Sequence, residues 1–305
     1  MVEIFKNTNY NFLGFRKKGF VISSLLILIT IGSIVYHGGF NLSVDFVGGT
    51  LTLFRFEKPI QKDIAKIREI VNGLGLGSPE VKTTGAFDKN ELQITVKKKS
   101  EGSFVADEIK AALTKNYSEN PFSLEKEERV GPKVSAELAQ NAVMAVLLSW
   151  IAIVIYMAFR FKLPHGIAAV SGLIHDVIIT TGVFTIRNAE ISLSFVAAIL
   201  TVIGYSLNDT IVVFDRVREN THKGLTGKSF EDLINSSINQ VLSRTIITVL
   251  TVLFVVTLYF FLGGESTRDL SLAMLVGTII GTYSTYFVSS PVLMYWNKKW
   301  PIKSH

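Results

Sequence analysis

Three ionisable residues interrupt runs that are otherwise apolar: Asp209 in IGYSLNDTIVVFDRVREN (residues 203–220), Asp176 in GLIHDVIIT and Arg244 in LSRTIITVL. A charge at the centre of a membrane helix costs roughly 2.5–3.5 kcal/mol on insertion scales, and groups tolerated at that cost tend to mark proton or ion paths. Asp209 is the candidate to bind and release a proton, Arg244 to modulate it as a nearby cation, and Asp176 to carry a further proton. Tyr205, Ser206, Asn208 and Thr210 add polar groups beside Asp209 that suit a hydrated path. A structural alternative pairs Asp209 with Arg244 to hold two helices together, or lets Arg244 snorkel to an interface. For Asp176, packing and proton handling both stand open. His175 points about 100° away from it around the helix, so the two need not share a partner.

Such residues need spanning helices to position them. The chain has 305 residues, 48% hydrophobic and 18% charged, with a mean hydropathy of +0.38, outside the range of ordinary soluble domains. Six apolar stretches match the roughly 20 residues that cross a bilayer core: 19–36, 138–159, 166–186, 191–214, 245–262 and 270–294. The first is expected to stay as an uncleaved anchor, because no A-x-A-like site follows it. Asp209 lies about 27 Å from Ile191 at the start of the fourth span and Arg244 about 26 Å from Phe261 near the end of the fifth, which puts both at a similar depth. Asp176 lies near the midplane, about 15 Å from either end of the third span.

Charge fixes the expected orientation. The net charge is +6, but residues 37–137 hold 15 Lys/Arg against 15 Asp/Glu, so the excess sits beside the spans. That distribution excludes nucleic acid as a partner and places the Lys/Arg-rich short loops in the cytoplasm. The expected organisation is a cytoplasmic N-terminus with the first span (1–36), an extracytoplasmic domain (37–137), spans two to six (138–294) and a cytoplasmic tail (295–305).

Within the large loop, VGGTLTLFRF (47–56) alternates as a strand, and PIQKDIAKIREIVNGLG opens on proline and stops at glycines as a helix does. PEVKTTGAF and ELQITVKKK are strands joined through a turn at Asp88-Lys89-Asn90. SFVADEIKAALTKNY is a second amphipathic helix and FSLEKEERV a last strand. The order βαββαβ predicts a ferredoxin-like α+β domain inserted between helices one and two of a six-helix, polytopic membrane protein. The run Lys97-Lys98-Lys99 is expected at a solvated strand end.

Other chemistry is thin. With no cysteine, thiol catalysis, disulfides and Cys-ligated zinc are excluded. Five histidines without HExxH give no support to a metal site, and no catalytic residue is assigned. Gly277 and Gly281 form a GxxxG element, expected to pack helices within the bundle rather than between chains. Asp176 and Asp209 could in principle share a site as an intramembrane aspartyl protease. The Tyr-Asp and Gly-x-Gly-Asp patterns of such enzymes are missing, and the two acids differ in depth by roughly 9–10 Å.

Five stretches resemble the SecD/SecF family of protein-export membrane proteins, on its SecF side: SVDFVGGT (43–50), VGPKVSAEL (130–138), LIHDVIITTGVF (173–184), FVAAILTVIGYSLNDTIVVFDRVREN (195–220) and INQVLSRTIITVLTVL (238–253). The resemblance implies a multi-pass protein of the bacterial inner membrane that works with SecD as half of a transporter of the resistance-nodulation-division type. It further implies use of the proton motive force, with no cofactor but the proton, to help unfolded secretory polypeptides leave the Sec channel. The implied partners are SecD, the Sec translocon with its accessory membrane subunits, and lipid. A solute exporter of the same superfamily is the competing reading. The family's Gly-x-Asp-Phe-x-Gly-Gly motif begins here with Ser43, while Asp45, Phe46, Gly48 and Gly49 stand. A glycine lost at its first position would matter if the backbone there needed a positive φ.

Overall fold

In lipid only a helix or a closed barrel satisfies its own backbone, and the apolar stretches are helical throughout. The computed structural model describes residues 8–77, 79–84, 90–97, 104–223, 229–263 and 265–299. In chain order a 3-10 turn (Leu13–Phe15) leads into α1 (Arg16–Tyr36), then the short α2 (Val44–Val47). The inserted domain follows as β1 (Gly49–Phe56), α3 (Ile64–Asn72), β2 (Glu80–Thr84), β3 (Glu91–Lys97), α4 (Val105–Asn116) and β4 (Phe122–Val130). The remaining helices are α5 (Pro132–Arg160), α6 (Leu163–Ile186), α7 (Leu193–His222), α8 (Phe230–Leu262), α9 (Glu265–Ser284) and α10 (Ser290–Lys299), the last two joined by a π turn (Thr285–Ser289). Six of these runs are long and apolar enough to span a membrane, as the sequence predicts.

Four spans reach well past their apolar windows. Pro132 opens α5 at a position where its missing N–H costs nothing, before the predicted start at 138. α8 starts at Phe230 rather than at 245, because Ser229 and Asp232 form a reciprocal capping box and Ile234, Ile238 and Leu242 give its early turns a buried side. α7 continues past 214 to His222, and the last span runs on to Lys299. Hydropathy marks lipid depth, whereas capping and packing decide where a helix ends.

The inserted domain is a four-stranded antiparallel sheet in the order β2-β3-β1-β4, the arrangement of a split βαβ unit. Alternation sends Phe54 and Phe56 of β1 to one face, where they pack with Leu92, Ile94, Ile67, Val71, Ile109 and Leu113 under α3 and α4. Asn90 takes φ 50°, as a turn residue does. Asp88, Lys89, Lys98 and Lys99 lie outside the described residues.

In the bundle α6, α7 and the α9–α10 run form the buried centre, while α1, α5 and α8 flank it. Only 6% of the apolar window of α5 is buried, against 56% of that of α6. The GxxxG element packs inside the chain: a Cβ at Gly277 would overlap Val202, and one at Gly281 would overlap Ser206, both on α7. Leu13 and Arg16 meet Asn235 and Glu231 of α8, so the described N-terminal residues lie at the end of the bundle opposite the sheet. α9 begins against β2 at the sheet end, which returns α10 to the end where α1 starts.

The opposite face of the sheet rests on the α6–α7 turn through a polar joint. Glu190, 7% exposed, lies 3.0 Å from Lys97 Nζ and 3.6 Å from Lys82 Nζ, and its carboxyl meets that of Glu80. Lys82 also pairs with Glu80 at 2.7 Å, and Lys97 donates to Asn41 Oδ1 at 2.6 Å. Burial, and then the adjoining Glu80 carboxyl, push Glu190 from its ordinary 4.5 up to about 7. Burial acts the same way on Glu80, but the hydrogen bonds from Glu190 and Lys82 outweigh it and hold that carboxyl below its usual value. The folded joint therefore retains a proton that an unfolded Glu190 would lose above pH 4.5. Its contribution is full below that pH and is lost as pH rises through about 7. The apparent melting temperature of the purified protein is expected to fall between pH 5 and pH 8, at a rate set by up to about a tenfold change in the folding equilibrium per pH unit. Glu190→Gln flattens this dependence; a slope that Glu190→Gln leaves intact would place its source elsewhere.

Candidate functional site

Two groups of residues answer to the sequence motifs, one at the sheet end and one inside the bundle. At the sheet end, Ser43 has φ −72° and accepts from the Asp45 N–H, so it caps α2 in an extended conformation open to any residue. The departure from glycine is therefore harmless to the backbone. Asp45 Oδ2 accepts from Ser43 Oγ at 3.0 Å and from the Leu193 N–H at 3.0 Å, at the first turn of α7. Phe46 packs into the apolar cluster that includes Ile191 and Phe195. Gly48 and Gly49 have φ +79° and +153°, and a Cβ at Gly49 would overlap the Val96 carbonyl of β3. The motif thus turns the chain from α1 into β1 while fastening it to α7. Main-chain bonds complete the fastening: Ile191 N donates to Asn41 O at 2.8 Å and Ser43 N to Ile191 O at 3.0 Å.

Within the bundle, Asp176 is fully buried and Asp209 is 2% exposed. The structure gives them separate partners. Asp176 Oδ2 accepts from Ser206 at 2.7 Å and Ser284 at 2.9 Å, while Oδ1 lies 3.1 Å from His175 Nδ1. His175 thus shares a hydrogen bond with its neighbour despite the angle between them; its ring also reaches Ser23 of α1 and stacks on Tyr283 of α9, while Asp176 also binds α7 and α9. Asp209 Oδ2 has one long hydrogen bond, from Thr282 Oγ1 at 3.4 Å. The two carboxyls are bonded to different residues and not to each other.

No salt bridge joins Asp209 and Arg244, the static pair given above as the structural alternative. The Arg244 charge is near enough to act on Asp209, but its side chain is exposed on the flank of this chain. The polar neighbours of Asp209 also divide differently from the sequence reading. Ser206 serves Asp176, Thr210 pairs with Thr285 at 2.9 Å, and Asn208 faces outward. Residues 206–210 cover little more than one helical turn, so adjacent polar residues point to different helices.

Sequence reasoning passed over the last span, which supplies Thr282, Tyr283, Ser284 and Thr285. The signal was present as a hydroxyl-rich run, GTYSTYFVSS (281–290). This run ends in the π turn at Thr285–Ser289, a distortion that often accompanies functional sites.

A bundle with acids buried among α6, α7 and α9, carrying one split βαβ domain tied to its inner helices, is the build of a membrane transport protein. Comparison with known proteins narrows the class. Residues 109–299 match the family described as protein export membrane protein SecD/SecF, C-terminal, and residues 35–60 match the SecD/SecF GG motif. The protein translocase subunit SecF of Endomicrobium trichonymphae is 40% identical over 98% of this chain and 94% of its own length. That of Haemophilus influenzae is 42% identical over 91% and 83%. The crystal structure of SecDF, a translocon-associated membrane protein from Thermus thermophilus, superposes with a TM-score of 0.81 at 34% identity, over 96% of this chain and 39% of that longer one. A crystal structure of SecDF in super-membrane-facing form gives 0.71, also at 34% identity. The chain belongs to the SecD/SecF family of protein-export membrane proteins, in its SecF branch.

The motif geometry orders two substitutions. Asp45→Ala removes a cap from α7 and is expected to cost about 1 kcal/mol. Gly49→Ala drives a methyl group into the β1–β3 ladder and is expected to cost more, about 1–3 kcal/mol. Thermal unfolding of the two purified variants measures both, and the reverse order would show that the Asp45 tie outweighs the glycine approach.

Proposed function

We propose that this chain acts as the SecF-type subunit of the Sec protein-translocation machinery, paired with a SecD-type half. In this reading it uses the proton motive force to promote release of unfolded secretory polypeptides from the channel. It lies in the inner membrane with both termini cytoplasmic and residues 37–137 outside, an orientation supported by the Lys/Arg bias of the short loops. The superposition of this chain on part of a SecDF polypeptide supports the pairing.

One observation carries the mechanism. Asp209 is 2% exposed and, among the described residues, holds a single weak hydrogen bond and no ion-paired cation. A carboxylate so placed bears most of its desolvation cost unrelieved, and taking up a proton removes that cost. Movement of Arg244 toward Asp209 favours the charged form and movement away favours the protonated one, so a shift of α8 against α7 binds or releases a proton. Asp176 provides a second acid toward the midplane. The strap around Asp45 would transmit such helix movements to the outer domain. The role is transport, with no covalent step.

Asp209→Asn keeps size and polarity but cannot titrate. Folding and assembly with the partner are expected to survive, while stimulation of export by the proton gradient is abolished in inverted vesicles. Export that responds to the gradient as in the unaltered protein would reduce Asp209 to a packing residue.

A further inference from the structure

Hydrogen-bond accounting around His175 points to a proton-binding unit separate from Asp209. Four links run in sequence: Asp176 Oδ1 to His175 Nδ1 (3.1 Å), His175 Nε2 to Ser23 Oγ (3.0 Å), Ser23 Oγ to Tyr283 Oη (3.1 Å), and Tyr283 Oη to the Gly19 carbonyl (2.7 Å). The carbonyl only accepts, so Tyr283 spends its proton there. Ser23 must then donate to Tyr283, and His175 must donate to Ser23 through Nε2–H. That leaves the Nδ1 link, which needs a further proton, either on Nδ1 or on Oδ1 of Asp176. A neutral ring beside an ionised carboxylate has one proton between them and leaves one of the four links empty. Complete satisfaction requires two.

We propose that His175 and Asp176 form a second proton-binding site whose occupancy sets how firmly α1 is held to α6 and α9. His175 is 5% exposed, Ser23 5% and Asp176 fully buried, so bulk water does not replace a missing link. The carboxylate keeps its bonds from Ser206 and Ser284 in either state, so the change falls on the Ser23 side. With 17% of its apolar window buried, α1 lies on the flank of the bundle, and the four-link chain is its polar attachment to α6 and α9, beside the Arg16–Glu231 contact with α8 at its first turn. Its end leads directly into the strap and the inserted domain. Other ionisable groups on the packed elements include Arg16, Lys17, Lys18 and Tyr36 on α1, His165 on α6, Tyr205, Asp209 and the charged run from Asp215 to His222 on α7, Arg268 and Asp269 on α9, and Tyr286 in the π turn. None of these is bonded to the four-link chain. The direction of coupling rests on the proton-driven reading above; the proton count does not.

The test is 15N-histidine NMR with carboxyl infrared spectroscopy on the full chain, assembled with its partner in bilayers, between pH 5 and pH 9. His175 is assigned by the signal lost in His175→Gln, among five histidines. The expected result is two protons on the pair at low pH, as imidazolium with carboxylate or as the Nε2–H tautomer with a protonated carboxyl, and one at high pH. At a fixed pH inside that transition, Ser23→Ala should lower the ratio of the two-proton to the one-proton form about tenfold, the effect of one hydrogen bond to a charged group. Ser23→Thr should restore it. A pair holding one proton at every pH, or two at every pH, would overturn the proposal, as would Ser23→Ala leaving the state unmoved. If Asp209→Asn abolishes the response to the gradient while His175 never changes state, this inference fails and the Asp209 reading stands. The converse outcome separates them the other way.

Discussion

Lipid offers no hydrogen bonds, so each polar group in this bundle must find its partner within the protein. Most hydroxyls do so locally, by donating to a carbonyl in the preceding turn: Thr30 to Leu26, Ser171 to Ala168, Thr201 to Ala197 and Thr248 to Arg244. These residues make no demand on neighbouring helices. Ser206 reaches across to another span, and Thr210, Thr282 and Ser284 lie within bonding distance both of a carbonyl in the preceding turn and of a group on another span. They gather where α6, α7 and α9 approach most closely, and that approach depends on Gly277 and Gly281 lying flat against Val202 and Ser206. Close packing and polar bonding thus depend on each other. Without the glycines the acids would lose their hydroxyl partners, and without the acids the hydroxyls would have nothing to bind.

The sheet end obeys the same rule by a different means. The segment from Asn41 to Ser43 is too short to form structure of its own, and the α6–α7 turn takes up its main-chain groups through two bonds with Ile191, while Asp45 in the first turn of α2 adds its carboxylate on the Leu193 N–H. One short strap therefore joins the end of α1, the start of β1 and the first turn of α7. The charged joint through Glu190, Lys82 and Lys97 adds a second attachment to the far side of the sheet. A rotation of α7 reaches the inserted domain through both.

The sequence carried the architecture well. Six apolar runs and the βαββαβ order survive almost unchanged, because lipid thickness and strand alternation each impose a strong period on the chain. The identities of Asp176, Asp209 and Arg244 as the expensive residues were equally legible. Their partners were not. Ser206 and Asp209 are neighbours in sequence, but helical geometry assigns the first to Asp176 and only the second to Thr282. An opposite charge at equal depth suggested a pair, yet the depth along the normal says nothing about which way Arg244 faces around its helix. Glu190 was passed over because a lone acid in a short turn looks solvated until a folded sheet covers it.

The arrangement separates acids from the groups that respond to them. Asp176 and Asp209 lie on the buried helices α6 and α7, while Ser23 and Arg244 lie on the flanking helices α1 and α8. A buried helix with contacts on every side has little freedom to move when one carboxyl changes charge. A flanking helix is bound along one stripe, so a single polar link can decide its position. In the reading proposed above, an acid inside the bundle with its partner on a flanking helix would turn a small electrostatic change into movement where the bundle is least constrained. Both flanking helices have long connections to other parts of the chain: α1 runs into the strap and the sheet, and α8 extends through its capped early turns to Arg16 and the start of α1. Motion at either site is therefore passed to the opposite end of the same helix, α1.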